Sequence, residues 1–222
     1  MTSDTTPVHE RDTPRGRPRD AARDRALLDA TVVLLTERGY GALTTAAVAA
    51  AAGVSTATLY RRWRSKEDLV AAAAMMCGQE FSEAVDTGTL EGDLRTVLRG
   101  KAAFLTGTGG RLLRALLGEA AHNATLADAL ATAFTVPMHE RVSQVVRRAV
   151  DRGEIPPVGQ PELLADLVMG PMISRWLLVT RMPEDSDAVH AGHTADELLP
   201  FLLRALGTAS DRSPGTVPDT RR

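Results

Sequence analysis

The chain has 222 residues, 44% of them apolar, and 26 lysines and arginines against 28 aspartates and glutamates, a net charge of −2. That length can bury a sizeable core, either as one large domain or as a small domain joined to a larger one. No apolar run approaches the roughly 18 residues that cross a bilayer, the first twenty residues are polar where a secretory leader is apolar, and the lone Cys77 excludes a disulfide framework, so a cytoplasmic protein is expected.

Arg11, Arg15, Arg17, Arg19, Arg23 and Arg25 crowd the N-terminus, with Pro14, Gly16 and Pro18 among them, so residues 1–19 read as a disordered basic arm that Asp12, Asp20 and Asp24 dilute. Lys66 and Lys101 are the only lysines, and the preference for arginine reads as genome composition rather than function. No sustained period-two pattern occurs, and helix formers fill segments of helical length, so an all-α fold of about nine helices is predicted. From Asp20 to Arg38, Ala26, Leu27, Ala30, Val33 and Leu34 recur at helical spacing, and Gly39 is placed as the stop. Two short helices follow, 45–52 and 56–62, separated by Gly53 and Val54. A fourth begins at "SKED", where Ser65 caps and Glu67 and Asp68 suit the helix dipole, and runs toward Val85 as a connector. Helices at 91–105, 111–121, 125–152, 161–181 and 194–207 complete the chain, broken by "TGTGG", "GEIPPVGQP" and "MPEDSDAVHAGH". Residues 208–222 are polar and read as a disordered tail.

The two short helices carry the chemistry. A glycine between them permits the left-handed turn that swings one across the other, the spacing of a helix-turn-helix. Val48, Ala49, Val54 and Leu59 fall where the pair packs, and Trp63, four residues past Leu59, reads as a core anchor. The opposite face carries Ser55, Thr56, Ala57, Thr58, Tyr60 and Arg61, short or hydrogen-bonding groups that let a helix enter the major groove and meet base edges. Tyr60, Arg62 and Lys66 suit flanking phosphates, as do the Thr44 and Thr45 hydroxyls.

The run "GYGALTTAAVAAAAGVSTATLYRRWRSKEDLVAA" resembles the N-terminal domain of the TetR family of bacterial transcriptional regulators in its glycine, Val-Ser, Leu-Tyr, aromatic and Ser-Lys-Glu positions. The specific match spans residues 20 to 75. The later "RGEIPPVGQPELLADLVMGPMISRWLLV" is more loosely similar to C-terminal domains of that family. Arg62-Trp63 departs from the His-Phe or Tyr-Phe of many members. The resemblance implies a DNA-binding domain over 20–66 and a ligand-binding and dimerisation domain over 67–207. It further implies a homodimer that places two recognition helices in successive major grooves of a near-palindromic operator, with Arg15, Arg17 and Arg19 in the adjacent minor groove.

Apolar residues surround 161–181 and 194–207 rather than forming one stripe, which agrees with a four-helix interface between two subunits. A small-molecule effector, apolar or amphipathic, is expected among Phe104, Leu113, Leu116, Leu117, Phe134, Met138, Met169, Met172 and Trp176, oriented by His122, Asn123 or Arg175. No Walker loop, HExxH, nucleophile elbow or zinc-ligand set occurs, so no enzyme, cofactor or metal site is expected. His190 and His193 fall in an acidic loop and read as solvated. The competing readings are a transcriptional activator of the same fold and, in a different class, a helical protein-binding module that has lost DNA binding.

Overall fold

In the computed structural model, residues 17–79, 85–178 and 187–207 are described, and side chains over 20–79, 85–176 and 193–207. Every regular element among these residues is a helix, with no strand among them, and no described helix is long and apolar enough to cross a membrane. Residues 1–16 of the predicted arm over 1–19, Arg15 among them, and the tail at 208–222 lie outside them.

Helix α1 (Arg17–Ala42) begins within the predicted arm, so 17–19 are helical rather than extended; Pro18 falls in the first turn, where its missing N–H costs nothing. Gly39 interrupts α1 as expected, at φ 75° and ψ 171°. Thr44 caps α2 (Thr45–Ala51) through a bond from the Ala47 N–H, and Ser55 caps α3 (Thr56–Tyr60) through one from the Thr58 N–H. Gly53, at φ 66°, makes the turn between them. Leu27, Leu34, Leu35, Leu43, Val48, Ala49 and Leu59 form the core of this unit, and half-buried Trp63 and Val54 pack against it.

Helix α4 (Lys66–Gln79) packs on α1 and leads into the larger unit. There α5 (Leu90–Thr106) and α6 (Thr108–Ala120) meet at Gly107 alone, so the "TGTGG" break is a sharp corner rather than a loop. The segment predicted as one helix over 125–152 is α7 (Ala124–Leu130) and α8 (Val136–Asp151) joined by a π-helical turn, Ala131–Thr135, in which the Val136 N–H donates to Ala131 O. Pro137 accounts for the widening: it offers no N–H to Ala133 O, four residues back. A second π turn, Ser174–Leu178, follows α9 (Pro161–Ile173), which has Pro171 inside it.

Helix α10 (Asp187–Ala205) starts seven residues before the expected 194. One internal glycine, Gly192, costs about 1 kcal/mol of helix propensity, and docking of Ala195, Leu199, Leu202 and Leu206 into the core outweighs it. His190 and His193 therefore belong to a helix, and His193 Nε2 lies 3.3 Å from Glu197 Oε1. No group of three potential metal ligands occurs among the described residues.

A buried carboxylate fastens the start of α5 to the end of α8. Asp93, fully buried, accepts from the Thr87 N–H (2.6 Å) and hydroxyl (2.8 Å), and its Oδ2 lies 3.6 Å from Arg148 and 3.5 Å from Arg152. Glu154 closes the same corner by accepting from the Leu90 N–H at 2.7 Å.

Candidate nucleic-acid interface and effector cavity

The short helices α2 and α3 cannot stand alone, and their packing on α1 decides which side chains face outward. Leu59 is fully buried, while Ser55, Thr56, Ala57, Tyr60 and Arg61 are exposed and Thr58 is half-buried, so the hydroxyl, methyl and guanidinium groups share the outer side. Two local bonds fix that side. Ser55 and Thr58 exchange a hydroxyl bond of 3.0 Å, and the Thr45 hydroxyl at the start of α2 meets the Tyr60 hydroxyl of α3 at 2.9 Å. Exposed Thr44 lies beside Thr45, at the cap of α2.

Arg62 and Lys66 have intramolecular partners. The Arg62 guanidinium reaches Asp20 (3.3 Å) and Asp24 (3.4 Å) of α1, so the two aspartates that seemed only to dilute the arm hold the end of the helix-turn-helix unit. Lys66 Nζ donates to Tyr40 O at 2.5 Å and sits 3.9 Å from the centre of the Tyr40 ring. The Tyr40 hydroxyl donates to Glu67 Oε1 at 2.6 Å, which holds that carboxyl below its ordinary pKa; burial, helped by the same bond, pushes the phenol up. Sequence reading missed this knot because its members lie 26 and 27 residues apart.

In the larger unit the predicted effector residues separate into groups. Phe104, Phe134 and Met138 come together at a small cavity also lined by Gly78, Lys101, Pro137 and Arg141. Phe104 additionally walls a cleft of about 350 Å³ between α1, α4 and the α5–α6 corner, where Val32, Val33, Met76 and Cys77 line it. Leu113, Leu116, Met169, Met172 and Trp176 are buried. The Trp176 Nε1 has no acceptor among the described residues, and its carbonyl accepts from Arg114 at 2.5 Å. Leu117, His122 and Arg175 are exposed and line neither space, while Asn123 caps α7. Lys101, which sequence reading left out, faces the small cavity. Its signal was available, since Leu94, Val97, Leu98, Lys101 and Leu105 occupy one helical stripe.

The outer face of α9 and α10 carries large apolar groups: Leu163 (55% exposed), Leu167 (54%) and Phe201 (67%). Gly170 of α9 and Ser174 at the start of the second π turn, also exposed, continue the Leu163–Leu167 line at the seam spacing of paired helices.

Comparison with known proteins gives two family matches along the chain. The family described as bacterial regulatory proteins, tetR family, matches residues 27–73, and that described as tetracyclin repressor-like, C-terminal domain, matches residues 84–195. An uncharacterised HTH-type transcriptional regulator of Mycobacterium tuberculosis is 37% identical over 86% of this chain and 95% of its own length. The DNA-binding transcriptional repressor TetR of Mycobacteroides abscessus is 32% identical over 84% of this chain and 96% of its own. Among solved structures, a TetR transcriptional regulator from Agrobacterium tumefaciens superposes with a TM-score of 0.68 at 25% identity, covering 84% of this chain and 95% of the other.

Proposed function

Because the chain belongs to the TetR family of DNA-binding transcriptional regulators, and is therefore not an enzyme, we propose that it is a homodimeric repressor released from a near-palindromic operator by a small effector. The observation that carries the DNA half of this reading is the outward set on α3. Ser55, Thr56, Ala57, Thr58, Tyr60 and Arg61 occupy the solvent side of a helix whose inner residue, Leu59, is fully buried. Small groups at the front of such a helix allow close approach to base edges, while Thr44, Thr45 and Tyr60 suit phosphates on either side. Arg62 and Lys66 contribute by holding the unit's shape and by adding positive charge at its rim. Arg15, Arg17 and Arg19 supply the minor-groove contacts.

Dimerisation uses the outer face of α9 and α10. Leu163, Leu167 and Phe201 are large apolar groups exposed on this face, and a partner would cover them. Effector coupling runs through α4, which packs on α1 and borders both internal spaces. A ligand that prefers the protomer geometry unsuited to adjacent grooves lowers operator affinity by its differential affinity for the two states.

Selection from random duplex DNA with the purified full chain tests this function. Enrichment of two inverted half-sites about one helical turn apart, bound with a steep negative dependence on salt, is the expected result. Failure to enrich any sequence would overturn it.

A further inference from the structure

Lys101 stands on the buried stripe of α5 and is 4% exposed. Among the described residues no carboxylate or carbonyl accepts from it, and its Nζ lies 4.9 Å from the centre of the Phe104 ring. Burial pushes its pKa down to about 8, so the side chain is still a cation at neutral pH. A desolvated charge without a counter-ion opposes folding, and a leucine or methionine on the same stripe would not.

The space that Lys101 faces is built around that charge. Its walls are Phe104, Phe134 and Met138, its second cation is Arg141, and among the described residues no acidic one lines it. The Ala131–Thr135 π turn forms one side. Gly78 forms another, packed so closely that a Cβ there would lie 2.2 Å from Ala133 O. The room, about 30 Å³, suits a group of one or two oxygen atoms. Among the described residues, Phe104 alone borders both this space and the 350 Å³ cleft reaching α1. Its ring rests 5.2 Å, centre to centre, from Phe134 and lies flat against Gly109, where any Cβ would collide with it.

We propose that Lys101 and Arg141 take the carboxylate of an amphipathic monoanion, whose apolar body occupies the cleft lined by Val32, Val33 and Met76 once the Phe104 ring turns aside. This rests on the reading of the chain as effector-responsive and specifies the effector's chemistry. It also places the body of that effector against α1, the first helix of the DNA-binding unit, as well as against α4.

The test uses the full chain and two matched series: decanoate and dodecanoate against decanol and dodecanol, and 2-naphthoate against 2-naphthol. Calorimetric titration of the wild type is expected to show at least one acid binding about tenfold or more tightly than its neutral partner. The responding series identifies the body as alkyl or aromatic. Lys101→Arg keeps the preference, whereas Lys101→Met loses it while melting at a higher temperature than the wild type, which shows that it is folded. No acid binding, equal binding of acid and alcohol, or an undiminished preference in Lys101→Met would overturn the proposal. Operator affinity measured with and without the bound acid separates the two readings: tight acid binding with unchanged operator affinity sinks the effector function and leaves the carboxylate site standing.

Discussion

The hydroxyl of Tyr40, just past the glycine break in α1, donates a 2.6 Å hydrogen bond to Glu67, in the first turn of α4. That bond, with Lys66 on the Tyr40 carbonyl, joins the two helices that flank the DNA-reading pair. Tyr40→Phe removes the hydroxyl and leaves the ring beneath the Lys66 ammonium. It should cost about 1–2 kcal/mol in denaturant unfolding, near the low end for a charge-assisted bond because the site reaches solvent. The Glu67 pKa should return toward its ordinary value in the variant, since the Tyr40 bond is the largest cause of its lowering. The wild-type bond contributes fully above the ordinary carboxyl pKa and fades as pH falls through the lowered one.

Tyr60→Ala and Arg61→Ala should each weaken operator binding by about 1–3 kcal/mol without changing the oligomeric state. Titrations at several salt concentrations distinguish their roles: loss of a phosphate contact reduces the slope of log affinity against log salt by about one. Unaltered affinity in both variants would remove α3 from the groove.

Phe201→Glu places a charge on the most exposed large apolar side chain of α10. A dimer that uses this face should weaken by about 2 kcal/mol or more, roughly thirtyfold in dissociation constant. Sedimentation of the variant should show monomer at concentrations where the wild type is dimeric, and Leu167→Glu should do the same from α9. An unchanged dimer in both would place the interface elsewhere.

Asp93→Asn tests the corner where α5 meets α8. Burial raises the Asp93 pKa, but the Thr87 N–H and hydroxyl, with Arg148 and Arg152, more than reverse this and hold the carboxyl below its ordinary value. Its stabilisation is therefore complete above the unfolded-state pKa and is lost as pH falls through the lowered folded-state value. The variant should lose about 2–3 kcal/mol at pH 7, less than the ~3–5 of a fully buried pair because both guanidiniums reach water, and should show a flatter acid limb.

The helices, the glycine turn and the two-sided apolar character of the last segments were legible in the sequence because they rest on periodicity and local turn chemistry. Leu59 and Ser55 declared their opposite faces by spacing alone. The starts of α1, α6 and α10 were not legible: Pro18 sits in a first turn, which tolerates it, while packing carries helices through the glycines of "TGTGG" and Gly192 where local propensity marks a break. The residues expected to hold an effector illustrate the same limit. Phe104 of α5 converges with Phe134 and Met138, four residues apart along the π turn and α8, although they come from distant parts of the chain, whereas Leu117, equally apolar, faces water.

The sequence by itself determined that this is a helical regulator with a DNA-reading pair at its front, because that pair is one contiguous, glycine-centred pattern. Only the tertiary structure decided what the two lysines do. Lys66 is held by a carbonyl 26 residues earlier, and Lys101 is enclosed by groups from α4, α5, the π turn and α8. Whether a charge is solvated, paired or buried depends on the chain segments folded around it, and no local pattern carries that information.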